Sequence, residues 1–165
     1  MFYILETQRE ITCGSWLIGL HEVLNEVGAL DVDYWLLQDF NPGGGYYFGM
    51  DYLDFVERTE TEPKGFCVSP EELQIYCNAD SQAVDGTFIA INSSAEEEPL
   101  LALDSFDAGC WYAATTSELI GERLIKCGWE QADMFPRLRG FSDWVNKFKN
   151  DKDVIESGVV FFEVE

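Results

Sequence analysis

Basic residues are scarce in this sequence, and their scarcity excludes several kinds of partner. Lys and Arg number 10 against 31 Asp and Glu, which gives a formal net charge of −21 at pH 7. Such a charge repels nucleic acids, anionic lipids and acidic substrates, so we expect no direct contact with nucleic acid or membrane. Because self-repulsion works against the compact state, either solubility or a basic protein partner must account for the charge.

The charge is unevenly distributed along the chain. Residues 1–122 hold 23 acids and three bases, whereas residues 123–165 hold eight acids and seven bases. The acidic field therefore belongs to the first three quarters of the chain, where we look for a surface that meets a basic partner.

Histidine and closely spaced cysteines are also lacking. His21 is the one histidine, and the five cysteines include no CxxC pair. Zinc sites need ligands at short, regular spacing, and cysteine nucleophiles need a histidine; Cys13, eight residues before His21, is too near in sequence for a typical dyad. We therefore predict a non-enzymatic protein without metal or cofactor, and the odd number of cysteines favours reduced thiols in the cytoplasm.

Long apolar runs are absent, and none approaches the roughly 20 residues of a membrane span. The N-terminal MFYILETQRE has no basic segment typical of a signal peptide. The composition is nevertheless 47% hydrophobic and 15% aromatic, which is far too apolar for a disordered chain. We predict one globular domain over residues 1–165 in a cytoplasmic protein.

Hydrophobic periodicity predicts the secondary structure. Alternation indicates strands at 2–6, 31–40, 86–91, 99–103, 110–114 and 158–165. Helical spacing, capping residues and glycine stops indicate helices at 15–27, 50–58, 69–78, 115–127 and 142–150. The expected N-caps include Ser15, Ser69 and Thr115, the last two in capping boxes with Glu72 and Glu118. The short connections between strands favour an α+β fold, mainly an antiparallel sheet with several packed helices.

The segment NPGGGYYFGM (41–50) is the stretch most like a ligand-binding motif. A phosphate loop needs a lysine after its glycines, and no lysine occurs between residues 1 and 63. The dinucleotide pattern fails because Phe48 occupies the place of its last glycine. We interpret the segment as a loop whose aromatic residues suit a protein interface if they are exposed. Alternatively, one or two of them pack into the core.

Paired carboxylates are the remaining enzymatic possibility. Asp31 with Asp33, or Asp104 with Asp107, could hold a divalent cation or act as an acid and base. Chance pairs are expected among 31 acids. The stretch DSFDAG around Asp104 is more simply a hairpin turn.

A small acidic protein without a catalytic motif resembles the immunity proteins with which bacteria neutralise toxic nucleases. The resemblance lies in size, charge and the lack of a motif, and it implies that acidic side chains block the basic cleft of a toxin. We predict a contact surface of Asp31, Asp33, Asp39, Tyr46, Tyr47, Asp51, Asp54 and Glu57, with Glu96, Glu97 and Glu98 as a second candidate. The alternatives are a nucleic-acid-mimicking inhibitor of a DNA-binding enzyme and a carboxylate or metal-dependent enzyme.

Overall fold

Seven antiparallel strands form a single sheet in the computed structural model, which describes residues 3–7, 18–42, 47–61, 65–78, 83–92, 99–106 and 110–133. The strands are β1 (Tyr3–Thr7), β2 (Tyr34–Pro42), β3 (Phe66–Val68), β4 (Ala83–Ile91), β5 (Leu101–Phe106), β6 (Cys110–Thr115) and β7 (Glu130–Gln131). Their order across the sheet is β3-β2-β4-β5-β6-β1-β7. The helices are α1 (Leu20–Val27), α2 (Tyr52–Thr61), α3 (Pro70–Asn78) and α4 (Glu118–Lys126). The predicted α+β fold is confirmed.

One face of the sheet packs against all four helices. A row of apolar side chains crosses it in register through Leu37, Phe88, Leu103, Ala113 and Leu5. Each helix adds buried apolar side chains to the same core cluster, among them Val23, Phe55, Leu73 and Leu124. Burial of this continuous apolar surface is the main favourable contribution to folding.

The opposite face carries a second, smaller apolar cluster. Its central row runs through Leu36, Ile89, Ala102, Ala114 and Ile4. In the part of the chain that the structure describes, no helix contributes to this cluster. The central strands are nevertheless buried on both faces, which explains why apolar residues follow one another in parts of β4 and β5, as in FIAI and LAL, instead of alternating with polar ones.

Helix starts follow local sequence signals in one case and depart from them in two. The predicted capping box of α3 is confirmed, since Glu72 N donates to Ser69 Oγ at 3.1 Å and Ser69 N donates to Glu72 Oε2 at 2.7 Å. The prediction that Thr115 caps α4 is wrong, because Ile120 N donates to Ser117 instead. Thr115 is the last residue of β6, and its hydroxyl donates to Leu100 O at 2.7 Å.

The first helix begins later than its sequence pattern predicts. Gly19, and not Ser15, precedes its first turn, and Gly19 N donates to Glu22 Oε2 at 3.0 Å. Trp111 in β6 fixes this start, because its Nε1 donates to Ile18 O at 2.8 Å. At the other end of α1, Trp129 Nε1 donates to Glu26 Oε2 at 2.7 Å. These indole donors tie α1 to elements that are distant in sequence.

Several predicted features lie outside the described residues, namely Ser15, Tyr46, Glu96, Glu97, Glu98, the helix at 142–150 and the strand at 158–165. Within the described ranges, no helix is long and apolar enough to cross a membrane.

Candidate binding surface

The exposed acids of α2 lie on a helix that is capped by one of them. Asp51 Oδ1 accepts hydrogen bonds from Leu53 N at 2.8 Å and from Asp54 N at 2.9 Å. Asp51 is therefore the N-cap, and its negative charge stabilises the positive end of the helix dipole. Asp54 and Glu57 follow at a spacing of three residues, so they lie on the same side of the helix, and both are exposed.

Two large apolar side chains lie among these acids. Tyr52 is 58% exposed and Leu53 is 75% exposed. The ring of Tyr52 contacts the ring of Tyr47, with 5.5 Å between centroids, so the apolar area continues onto the preceding loop. We refer to Asp51, Tyr52, Leu53, Asp54 and Glu57 as the α2 surface.

The side of α2 opposite to the α2 surface packs against aromatic side chains. Phe55 is only 3% exposed and makes edge-to-face contacts with Phe40 at 6.0 Å and Phe66 at 5.8 Å between centroids. Arg58 lies over the ring of Phe66 at 5.2 Å, a cation–π contact. These contacts fix the orientation of α2 on the sheet, and hence the direction in which its acids point.

The segment NPGGGYYFGM (41–50) contains three aromatic residues, Tyr46, Tyr47 and Phe48. Tyr47 and Phe48 are half-buried and pack on the core cluster. Phe48 stacks on Tyr76 at 5.2 Å, although its φ of 54° is a left-handed conformation that bulky residues rarely adopt. Of the three, Tyr46 lies outside the described residues. The alternative interpretation, that part of this trio packs into the core, therefore holds for Tyr47 and Phe48.

The remaining predicted acids fall into two separate groups. Asp39 is exposed at an irregularity of β2, with a φ of 49°, and it lies at the α2 end of the strand because its neighbour Phe40 contacts Phe55. Asp31 and Asp33 are exposed just before β2 begins. Asp39 lies six positions further along the chain than Asp33, which corresponds to about 20 Å in an extended strand. The structure thus places Asp39 near α2 and leaves Asp31 and Asp33 at the far end.

Asp104 is buried in mid-strand. The hairpin predicted at DSFDAG is present, since β5 and β6 pair up to Phe106 and Cys110, but Asp104 lies within β5 and not in the turn. It is fully buried in β5 and accepts a hydrogen bond from Thr87 Oγ1 at 3.2 Å. On the second face of the sheet, a polar row runs in register through Gln38, Thr87, Asp104, Tyr112 and Glu6. A hydrogen bond with Cys110 is the main cause that raises the pKa of Tyr112, and burial adds to the increase.

Within the described residues, no group of three or more His, Cys, Asp and Glu side chains is placed to hold a metal ion. His21 is exposed on α1, whereas Cys13 and Asp107 lie outside the described residues. Burial, with a smaller effect of Glu22, raises the pKa of Cys77 to about 12, so this thiol is a poor nucleophile at neutral pH.

No protein-family model, curated protein or solved structure matches this chain. The geometry of the described residues therefore carries the functional interpretation.

Sequence reasoning missed the exposure of Tyr52 and Leu53. Both lie in MDYLDFVER, where Leu53 has the helical spacing of a core residue. Phe55 was the available signal. If Phe55 is taken as the buried position of the helix, Leu53 lies two residues before it and therefore on a different side of the helix. The exposed acids of α2 were found because Asp and Glu are almost never buried without a partner.

Proposed function

We propose that this protein is a non-enzymatic acidic binding protein that neutralises a basic protein, most simply as an immunity protein that blocks the active cleft of a toxin. The observation that carries the proposal is the α2 surface, where exposed carboxylates surround exposed apolar side chains. In the described part of the chain, no base forms an ion pair with Asp54 or Glu57, whereas Glu122 on α4 pairs with Lys126 at 3.7 Å.

The mechanism would be steric and electrostatic. A net charge of −21 attracts a basic partner over a distance comparable to the Debye length, about 8 Å at physiological salt. Such steering raises association rates well above those of neutral pairs and falls steeply with ionic strength. Once bound, acidic side chains in a substrate cleft would compete with an anionic substrate for the same Lys and Arg groups.

The test begins with capture of partners from a lysate of the native organism at low salt, eluted by a salt gradient and identified by mass spectrometry. We expect a basic protein that elutes only at high salt. Purified partner is then measured against the Asp54→Lys, Glu57→Lys double variant, which should associate at least about tenfold more slowly, with a weaker salt dependence.

The matched control is the Glu71→Lys, Glu130→Lys double variant. Both residues are exposed, and Glu71 occupies the first turn of α3 as Asp54 does in α2. Its change in net charge is the same, so an equal loss in both variants would mean that only the overall charge matters and would contradict a specific site on α2. Capture of a DNA-binding enzyme in place of a toxin would favour the nucleic-acid-mimicking alternative.

A further inference from the structure

The α2 surface combines two properties that a purely solubilising surface lacks. Its carboxylates surround apolar side chains that are largely accessible to water, Leu53 at 75% and Tyr52 at 58%. Single exposed apolar residues are ordinary on protein surfaces. Here they are consecutive, and they continue into the half-buried ring of Tyr47. This arrangement matches the apolar centre and charged rim of protein interfaces.

The helix turn that carries these apolar side chains is also held in place before any partner binds. Asp51 caps the first turn through two hydrogen bonds, and Phe55, two residues after Leu53, is anchored among aromatic rings. Ordering of side chains and loops weakens binding, so a preorganised helix turn retains more of its contact energy. Binding hot spots are typically such rigid anchors, surrounded by groups that exclude water.

We infer that Tyr52 and Leu53 are the apolar anchor of the acidic interface, and that the partner offers an apolar pocket bordered by Lys or Arg. The inference rests on the proposed function and specifies the chemistry of the partner surface. A second copy of this chain is a poor occupant, because self-association through α2 would bring Asp51 and Asp54 of both copies together. A partner surface with Lys or Arg around its apolar pocket complements the acids of the α2 surface.

Two synthetic peptides of equal length and equal positive charge provide the test. In one, Leu recurs every three or four residues among Lys, so that a helix would have an apolar and a basic side; in the other, Ser replaces every Leu. Titration calorimetry at low salt should show the Lys/Leu peptide binding about tenfold more tightly, since burial of a leucine side chain contributes at least that much affinity. Leu53→Ser should remove most of this ratio and leave the affinity for the Lys/Ser peptide unchanged.

Leu119→Ser is the matched control, because Leu119 is 59% exposed on α4 beside Glu118 and Glu122. It should leave the peptide ratio unchanged. If the Lys/Ser peptide binds in a salt-dependent manner but Leu53→Ser leaves the ratio intact, or Leu119→Ser lowers it equally, the anchor is refuted while the proposed function stands. If neither peptide binds at low salt, the proposed function fails, and the inference fails with it.

Sedimentation of the protein alone tests whether a second copy of this chain binds the α2 surface. We expect a species that does not associate further through α2 at low or high salt. Concentration-dependent association that Leu53→Ser abolishes would overturn the inference, because the apolar side chains would then belong to contacts between copies of this chain.

Discussion

Asp51 has two roles that substitution can separate, since it caps α2 and contributes charge to the proposed interface. Asp51→Ala removes the acceptor of two backbone hydrogen bonds, at 2.8 and 2.9 Å. Loss of an N-cap costs about 1 kcal/mol, and loss of the charge near the helix N-terminus adds roughly 0.3 to 1 kcal/mol at low salt. We therefore expect Asp51→Ala to lower the free energy of unfolding by about 1.5 kcal/mol and Tm by about 5 °C.

Asp51→Asn is the matched variant, because its amide oxygen still accepts the same hydrogen bonds but carries no charge. It should lower the free energy of unfolding by only a few tenths of a kcal/mol. Both variants remove one negative charge from a protein of net charge −21, so any relief of self-repulsion is common to them. The difference between Ala and Asn, measured by urea unfolding, isolates the hydrogen bonds.

Salt provides a further check on Asp51. The deficit of Asp51→Asn should shrink at high ionic strength, whereas the difference between Ala and Asn should persist, because hydrogen bonds are not screened as exposed charges are. Equal stability of wild type and Asp51→Ala would refute the capping argument. Equal destabilisation by Ala and Asn would show that the charge alone matters.

Two side chains of α3, the buried Tyr76 and the half-buried Cys77, give the remaining predictions. No described residue forms a hydrogen bond with the fully buried Tyr76 Oη, so Tyr76→Phe should raise the free energy of unfolding by about 1 kcal/mol in urea titrations; a loss of stability would mean that the hydroxyl has a partner. Burial raises the pKa of Cys77 from 9.0 to about 12, so its contribution is full below pH 9 and is lost as the pH rises from about 9 to 12. Cys77→Ala should therefore flatten the alkaline decline in stability, and an unchanged slope above pH 9 would contradict this assignment.

Local sequence signals predicted the elements whose determinants are local. The Ser69 capping box needs only four consecutive residues, and the structure reproduces it in detail. The same pattern at Thr115 and Glu118 misled the prediction, because Thr115 pairs with neighbouring strands as the last residue of β6, and Ser117 caps α4 instead. Thr115 lies in register with Leu101 and Tyr3 in neighbouring strands, and its hydroxyl donates to Leu100 O and accepts from Ser117 N, not from a backbone N–H of the first helical turn.

The burial of Asp104 depends on long-range contacts that the sequence pattern does not reveal. In isolation, DSFDAG has the composition of a turn, since Asp, Ser and Gly favour turns. That composition predicts the hairpin, and β5 and β6 do pair up to Phe106 and Cys110. The register with Thr87 and Tyr112 nevertheless keeps Asp104 inside β5, and the Thr87 hydroxyl donates to its carboxylate. A buried carboxylate is tolerated only where partners compensate its desolvation. Such partners come from other strands and are invisible in a short window.

The acidic surface itself was predictable in composition but not in arrangement. Charge alone indicated that residues 1–122 carry the acidic field, and it gave no reason to separate Asp33 from Asp39. The structure separates them by most of the length of β2 and joins Asp39 instead to the end of the sheet where α2 packs. Aromatic contacts hold this end of β2 in place, because the ring centroid of Phe40 also lies 5.5 Å from that of Tyr76 and 5.4 Å from that of Phe88.

Stability and binding are coupled at α2 in a way that limits how the surface can vary. Asp51 favours the helix, and Asp54 in its first turn also complements the helix dipole, whereas Glu57 is exposed further along α2 and adds to the self-repulsion of a highly acidic chain. A basic partner would relieve that repulsion only in the complex. Substitution of Glu57 should therefore leave the free protein as stable or more stable while it weakens binding, whereas Asp51→Ala should impair both. That divergence between neighbouring acids distinguishes an interface from a surface that serves solubility alone.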